Sequence, residues 1–198
     1  SGRPQVISDH ERPQDGEAIM IEGRLIRLRP VERGDLPAFV RWINDPEVTE
    51  FLKLEPPMSL EDEEAWFAHM LRSKDKVFSI DSKDGRLIGN ICTVNLDWRN
   101  RRTEIGIMIG EKDLWSCGYG RDAILTLVGY LFEELNLNRV GLLTDSANTR
   151  ALSCYERCGF HREGIYRDYR YKRGRYVDCV LMSMLRREWD ERRARSGP

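Results

Sequence analysis

The sequence predicts one α/β domain of the α+β type, in which a mixed, largely antiparallel and twisted sheet is flanked by helices. Alternating and helical hydrophobic patterns interleave along the chain. Hairpin turns occur both before the longest predicted helix and after the last interleaved one, so much of the sheet must be antiparallel. Residues 103–145 instead show a strand–helix–strand pattern, the one clear parallel crossover. A length of 198 residues suits a single domain.

The first half of the chain is predicted to contain three strands and two helices. Residues 25–30 alternate hydrophobic residues with arginines and end at a proline, which is typical of a strand. A helix is expected at 35–43, and a capped amphipathic helix at about 60–73. Strands at 77–80 and at about 86–96 are joined by an Asp-Gly turn.

The second half of the chain alternates strands with two further helices and ends in a hairpin. A glycine follows the second of these helices and is expected to terminate it. The predicted elements are a strand at 103–109, a helix at about 118–135, a strand at 140–144, a helix at about 149–158, and strands at about 160–171 and 176–185.

The folded domain is expected to span residues 19–187. Residues 1–18 are polar and contain prolines without any hydrophobic period, which predicts a flexible extension. Residues 188–198 are expected to form a charged tail, and the charged stretch that begins at Arg186 can extend as a helix.

Composition excludes several classes of protein. A net charge of −1 and a pI near 6.3 argue against direct binding of nucleic acid through a basic surface. No apolar run reaches the roughly 18–20 residues of a membrane helix, and no charged segment followed by an apolar one opens the chain. We therefore expect a cytoplasmic protein without a membrane partner. The five cysteines lack a C-x-x-C pair and the three histidines are scattered, which predicts reduced thiols and no metal site.

The strand at 103–109 is the most informative one. Alternation places its odd-numbered residues on one face, which predicts that this face packs on the core. The other face carries Glu104, Gly106 and Met108, and so offers a carboxylate beside bare backbone. A glycine within a strand allows close approach by a ligand or another chain; an ordinary edge or bulge is the alternative.

A glycine-rich segment opens the longest predicted helix. Gly118 and Gly120 let backbone amides approach an anion where the partial positive charge of the helix favours it. With Ala123 they also fit the loose dinucleotide pattern G-x-G-x-x-A. In that fold the strand runs directly into the glycine turn, whereas residues 110–115 intervene here, and a Walker lysine is absent from the sequence. An oxidoreductase is therefore disfavoured, and plain helix capping by the glycines is the other alternative.

Two sequence blocks, separated by one predicted helix and strand, together match a known family. The first block has the form Gln/Arg-x-x-Gly-x-Gly/Ala, in which Gly118 and Gly120 match while Trp115 departs from the first position. The second block comprises Asn148, Ala151, Tyr155, Gly159 and Phe160. With both blocks the chain resembles the GCN5-related N-acetyltransferase (GNAT) superfamily, especially its branch of ribosomal-protein N-terminal-alanine acetyltransferases.

The resemblance implies that acetyl-CoA binds as a co-substrate between the strands at 103–109 and 140–144, which would splay apart. The pantetheine arm would pair with backbone groups as an added strand does. The implied cofactor-binding residues are Ile107, Met108 and Ile109 for the pantetheine arm, Cys117, Gly118, Tyr119, Gly120 and Arg121 for the pyrophosphate, and Asn148 and Ala151 at the start of the following helix.

Two side chains are candidates for proton transfer, on the basis of the same resemblance. Attack by an amine on a thioester creates an oxyanion and then releases a thiolate. An amide near Met108 would stabilise the oxyanion, and Tyr155 would protonate the thiolate. Glu104 would accept the proton of the amine, directly or through a water. The alternatives are a core aromatic at Tyr155 and a solvated or salt-bridged carboxylate at Glu104.

The acceptor of the acetyl group is expected to be a cationic primary amine. Residues 45–64 form an acidic rim with a single lysine, Lys53, and such a rim attracts cations; acids at a solvated helix start are the alternative. We expect direct attack in a ternary complex, with a protein N-terminus slightly favoured over a polyamine or an aminoglycoside. A catalytically silent acyl-CoA sensor is the alternative from another class, and a homodimer remains open.

Overall fold

The computed structural model describes residues 20–53 and 56–196, and this part of the chain forms one eight-stranded sheet with five α-helices. The strands are β1 (Ile21–Glu22), β2 (Ile26–Pro30), β3 (Val77–Ser82), β4 (Leu87–Asp97), β5 (Arg102–Ile109), β6 (Arg139–Asp145), β7 (His161–Lys172) and β8 (Arg175–Leu185). The helices are α1 (Leu36–Ile43), α2 (Leu60–Met70), α3 (Tyr119–Glu133), α4 (Thr149–Cys158) and α5 (Arg186–Ser196).

The sheet has the order β1-β2-β3-β4-β5-β6-β8-β7. Only β5 and β6 run parallel within the described residues, and every other neighbouring pair is antiparallel. The predicted mixed, largely antiparallel fold is therefore confirmed, including its single parallel crossover through α3. The two-residue strand β1 was not predicted, because a run so short carries no measurable period.

Each face of the sheet has its own core. On one face α3 and α4 pack Leu127 and Leu152 against sheet residues such as Val140 and Met182. On the other face α1 and α2 bury a second, smaller cluster that includes Phe39. We call these the α3–α4 face and the α1–α2 face. Both sides of the sheet are covered, although the helices on the α1–α2 face cover only part of it.

The burial of β5 differs from the expectation in two places. Met108 was predicted on an open face, yet it is buried in the cluster under α1 and α2. Gly106 was expected to allow a ligand to approach. Instead its bare Cα leaves room for the Sγ of Cys92 on β4, which would lie 3.3 Å from an added Cβ. Both residues therefore serve packing within the sheet, and Glu104 alone of the three remains exposed.

The structure can be compared with the predicted domain limits of 19–187 at both ends of the chain. The proposed extension at residues 1–18 lies outside the described residues. The boundary placed at residue 187 falls inside α5, whose Trp189 is buried in the larger core and donates a hydrogen bond from Nε1 to Glu133 at 2.8 Å. The predicted helical extension from Arg186 is thus present, and its Trp189 attaches it to the domain. Along residues 20–53 and 56–196 we find no helix long and apolar enough to cross a membrane.

Candidate functional site

An open slot lies between β5 and β6, and we define it as the space beyond Glu104 and Gly141. The two strands pair in parallel at only three positions, from Arg102 with Arg139 to Glu104 with Gly141. Beyond them β5 stays paired with β4 as far as Ile109, and β6 with β8 as far as residue 145. Because β5 stays with β4 and β6 stays with β8, the sheet is split between β5 and β6.

The hydrogen-bond alternation of β5 decides which backbone groups face the slot. The Gly110 amide donates to the Ile88 carbonyl of β4 at 2.9 Å, so every second residue before Gly110 also bonds to β4. Met108 belongs to this set, whereas the N–H and C=O groups of Ile107 and Ile109 point toward the slot. The Met108 amide is therefore directed at β4 and not at the slot, which differs from the expectation drawn from the sequence.

A stacked pair crosses the slot at its far end. The indole Nε1 of Trp115, on the β5 side, donates to the Ile109 carbonyl at 2.8 Å. The guanidinium of Arg150, from the first turn of α4 on the β6 side, lies 3.9 Å from the centroid of the Trp115 ring. Trp115, which departs from the family motif, thus occupies the Ile109 carbonyl with a hydrogen bond. Its ring also holds the Arg150 guanidinium beside the glycine-rich loop.

The start of α3 presents free backbone amides next to this pair. Gly118 is the N-cap with a φ of 95°, a left-handed conformation that glycine adopts without strain. The first helical hydrogen bond runs from the Asp122 amide to the Gly118 carbonyl, so the amides of residues 118–121 lack a partner within the helix. Cys117 differs from these predicted ligands, because its amide donates to the Leu114 carbonyl at 3.4 Å.

Asn148 caps the helix that carries the second sequence block. Its side chain accepts a hydrogen bond from the Ala151 amide at 3.1 Å, which leaves the side-chain NH₂ group as its free donor. The Ala151 amide is thereby satisfied inside the protein. Gly159 ends α4 with a φ of 100°, as expected for a glycine cap.

Tyr155 lies on the buried side of α4, on the α3–α4 face. It is 9% exposed and its ring meets Phe160 edge-on at 6.1 Å between centroids. Burial, and then the neighbouring thiols of Cys154 and Cys158, raise the pKa of Tyr155. The phenol therefore keeps its proton at neutral pH. A hydrogen bond with Cys158 lowers the pKa of the neighbouring Cys154.

Glu104 lies on the opposite, α1–α2 face of the sheet. Its side chain is exposed and extends across the bare Cα of Gly141, where an added Cβ would lie 3.6 Å from the Glu104 Cγ. Arg139 is close enough to Glu104 to interact electrostatically. However, Arg139 donates to Glu163 at 2.6 Å, and that ion pair lowers the pKa of Glu163 to about 2. Tyr155 and Glu104 can therefore act on one reacting group only where the sheet is open.

Part of the acidic rim is engaged in ion pairs and hydrogen bonds within the described residues. Lys112 binds Asp45 at 2.8 Å and Glu47 at 2.9 Å. Asp62 accepts from the Ser59 amide in a capping box, as the alternative interpretation of this helix start expects for that one residue. Glu63 is buried, which raises its pKa, and Glu55 lies outside the described residues. The rim therefore presents much less free negative charge than the sequence suggested.

Three further residues on the α1–α2 face were not predicted as functional, and we call them the hairpin corner: Asp145, Arg170 and Lys172. Lys172 donates from Nζ to the Glu50 carbonyl, so the β7–β8 hairpin touches the connection between α1 and α2. The three residues come from two strands 25 positions or more apart in sequence. The only sequence signal was the i, i+2 spacing of the two cations within a predicted strand. Among residues 20–53 and 56–196, no group of three histidine, cysteine, aspartate or glutamate side chains could hold a metal ion.

Comparison with known proteins agrees with this architecture. A family model described as the acetyltransferase (GNAT) domain matches residues 25–161. The crystal structure of spermidine N-acetyltransferase from Vibrio cholerae in complex with CoA and spermine superimposes with a TM-score of 0.78 at 28% identity, covering 83% of this chain and 98% of that one.

Two relatives from Bacillus show how far the sequence similarity extends. A Bacillus licheniformis protein named "Uncharacterized N-acetyltransferase p20" is 30% identical over 169 residues, which is 83% of this chain and 94% of that protein. A Bacillus subtilis protein named "Putative ribosomal N-acetyltransferase YdaF" is 42% identical over 107 residues, which is only 54% of this chain and 58% of that protein.

Replacing Asn148 tests its capping role. We expect Asn148→Ala to lower the free energy of unfolding by about 1 kcal/mol, because the Ala151 amide loses its acceptor. Asn148→Asp keeps an acceptor oxygen and should retain most of the stability. Urea denaturation of both variants, with the exposed Thr149→Ala as control, measures the difference. Equal stability of the Ala and Asp variants would show that the cap contributes nothing.

Proposed function

This chain belongs to the GNAT acetyltransferase family, and from that premise we propose that it acetylates the amino terminus of a protein by direct attack in a ternary complex. Family membership makes the chain an N-acetyltransferase that uses acetyl-CoA, which supplies the activated acetyl thioester. The N-acetyltransferase relatives that span most of the chain favour an enzyme over a silent acyl-CoA sensor.

The slot offers what an acyl-CoA requires. The N–H and C=O of Ile107 and the N–H of Ile109 face a space that no neighbouring strand fills, as in a sheet edge that accepts an added strand. At the end of the slot, the amides of residues 118–121 and the guanidinium of Arg150 provide donors and positive charge for a pyrophosphate. Local donors of this kind are needed because the net charge of the chain is −1.

The two proposed catalytic side chains lie in opposite environments, one buried and one exposed. Tyr155 holds its proton because burial raises its pKa, so at neutral pH it can act toward the leaving thiolate only as a donor and cannot serve as a base. Glu104 is an exposed carboxylate on the other face and can accept the proton of an incoming ammonium group. The amine would then approach from the α1–α2 face.

The acceptor assignment depends on the charge of the α1–α2 face. A polyamine carries several positive charges along its length and is best held by several spaced anions. Here Asp45 and Glu47 are occupied by Lys112, and the hairpin corner adds Arg170 and Lys172. A protein N-terminus brings only one positive charge to the slot and fits this mixed surface better. The partial match to a ribosomal N-acetyltransferase points the same way.

Polyamine acetylation is the second candidate. It is favoured by the similarity of the whole domain to a spermidine N-acetyltransferase whose crystal structure contains spermine. The free carboxylates of this chain in the same region would then have to supply the contacts.

An acceptor panel distinguishes the two candidates. We expect thiol release from acetyl-CoA to be fastest with peptides that begin with Ala or Ser, and slower with spermidine or an aminoglycoside, because the surface near the slot carries its own cations. The measurement is kcat/KM for each acceptor at fixed acetyl-CoA. A higher value for spermidine than for every peptide would replace the proposal with polyamine acetylation.

Tyr155→Phe removes the proposed proton donor without changing the shape of the core. We expect kcat to fall about 10²-fold, a typical contribution of general acid catalysis, while the affinity for acetyl-CoA changes little. Steady-state kinetics and calorimetry with CoA measure the two quantities. Tyr130→Phe, a change of the same kind in α3 against Phe78, serves as control. Wild-type turnover of the Tyr155 variant would exclude the acid role.

Glu104→Gln removes the proposed proton acceptor. We expect the loss of rate to be greatest at low pH, where the amine is protonated and needs a base, and smallest at high pH, where the free amine is abundant. The pH dependence of kcat/KM for the best peptide measures this, with Glu134→Gln at the end of α3 as control. A pH profile parallel to that of the wild type would remove Glu104 from the mechanism.

A further inference from the structure

One polar atom of the described residues stands out by its lack of a partner. The Nε of Arg170 is fully buried and forms no hydrogen bond, and it is the one such side-chain atom in residues 20–53 and 56–196. A guanidinium has five N–H donors in a fixed geometry and no acceptor. The Nε–H can therefore be satisfied only by an acceptor that another group brings to it. Buried donors in native proteins nearly always have a partner, and an exception calls for a physical reason.

The pairing of β7, β8 and β6 places Arg170 on the face where the amine would approach. Arg170 is paired with Val177, and Asp145 is paired with Cys179 two residues further along β8. Directly paired side chains project to the same face, and so do residues two apart in a strand. Arg170 and Asp145 therefore share a face. The same alternation along β6 extends this face from Asp145 to Gly141, which Glu104 overlies.

The hairpin corner is enclosed by contacts with the α1–α2 connection. Arg173 donates from a guanidinium nitrogen to the Pro46 carbonyl at 3.2 Å, and Lys172 Nζ lies 6.0 Å from the centroid of the Phe51 ring. Burial lowers the pKa of Lys172, and the positive charge of Arg170 acts in the same direction while Asp145 opposes it. The charges of Lys172, Arg170 and Asp145 therefore interact electrostatically in a partly desolvated space beside the end of β6.

Charge at this corner favours a neutral oxygen over an anion as the partner of Arg170. Asp145 is 4% exposed and forms no ion pair with Arg170 in this part of the structure; one of its oxygens accepts from the Ala147 amide at 2.9 Å. Its negative charge would repel a carboxylate ligand and attract an ammonium group. A peptide amino terminus carries both features, an ammonium group and, two bonds further on, a neutral carbonyl.

We propose that Arg170 is a specificity-determining residue that donates a hydrogen bond to the first carbonyl oxygen of the acceptor peptide. This inference rests on the proposed function and deepens it, since spermidine contains no oxygen that Arg170 could bind. The contact would place the α-amine near Asp145, at the end of β6.

Matched acceptors and variants test the contact. The acceptors are a short Ala-starting peptide and the same peptide with its first amide replaced by a trans-alkene, which lacks the carbonyl oxygen and adds no charge. The variants are Arg170→Met, which keeps the length but no donor, and Arg170→Lys, which keeps the charge but loses the Nε–H. Arg167→Met is the control, because Arg167 is an exposed arginine of the same hairpin. The quantity measured is the ratio of kcat/KM for the two acceptors.

Wild type and Arg167→Met should prefer the carbonyl peptide by at least about 10-fold, the effect of one hydrogen bond from a charged group. Arg170→Met should bring this ratio close to one, chiefly through KM, and Arg170→Lys should fall between. Arg170→Met should also keep or raise the melting temperature, because the buried Nε of Arg170 has no hydrogen-bond partner among residues 20–53 and 56–196, whereas a purely structural arginine would lower it.

Two results overturn the inference, and they are distinguishable. If wild type acetylates the peptide but Arg170→Met retains the full preference for the carbonyl, Arg170 does not bind this oxygen and the peptide function stands. If wild type acetylates spermidine and neither peptide, the proposed acceptor is wrong and the role of Arg170 falls with it.

Discussion

The split between β5 and β6 is the constraint on which the rest of the site depends. Two strands that would normally complete their ladder part after three residue pairs, because each remains bound to its outer neighbour. Every unmade ladder bond forgoes roughly 0.5–1.5 kcal/mol of net stabilisation, so the split is maintained at the expense of stability. In return, the N–H and C=O of Ile107 and the N–H of Ile109 stay available at fixed spacing, and the slot connects the two faces of the sheet.

Local patterns in the sequence were enough to predict most of this fold. The predicted range of α4, about 149–158, agrees with the structure, and its end was marked by the terminal glycine, Gly159. The parallel crossover from β5 through α3 to β6 followed from the order of the elements alone. The split itself was expected only through the family resemblance, since hydrophobic alternation does not reveal where a strand loses its neighbour.

What the sequence could not predict depends on contacts between distant segments. Gly106 looked like an opening for a ligand, but the sulfur of Cys92 occupies the space beside it. From the sequence, the acidic rim was expected to bind cations. In the structure Lys112, about 65 residues away from Glu47 in sequence, forms an ion pair with that residue. Arg170 gave no local signal, because an unsatisfied donor can be recognised only after all its neighbours are known. In each case a strand or loop from elsewhere in the chain determines the chemistry.

Burial also divides the proposed proton transfers between the two faces. Tyr155, enclosed by the larger core, has a raised pKa and is therefore confined to the role of donor. A group with the opposite role must be solvated enough to stay ionised, and such a group cannot share that environment. Glu104 lies in a different environment, on the exposed part of the other face. Since the two cannot meet elsewhere, the proton accepted and the proton donated must both pass through the slot, which is why direct attack in a ternary complex suits this architecture.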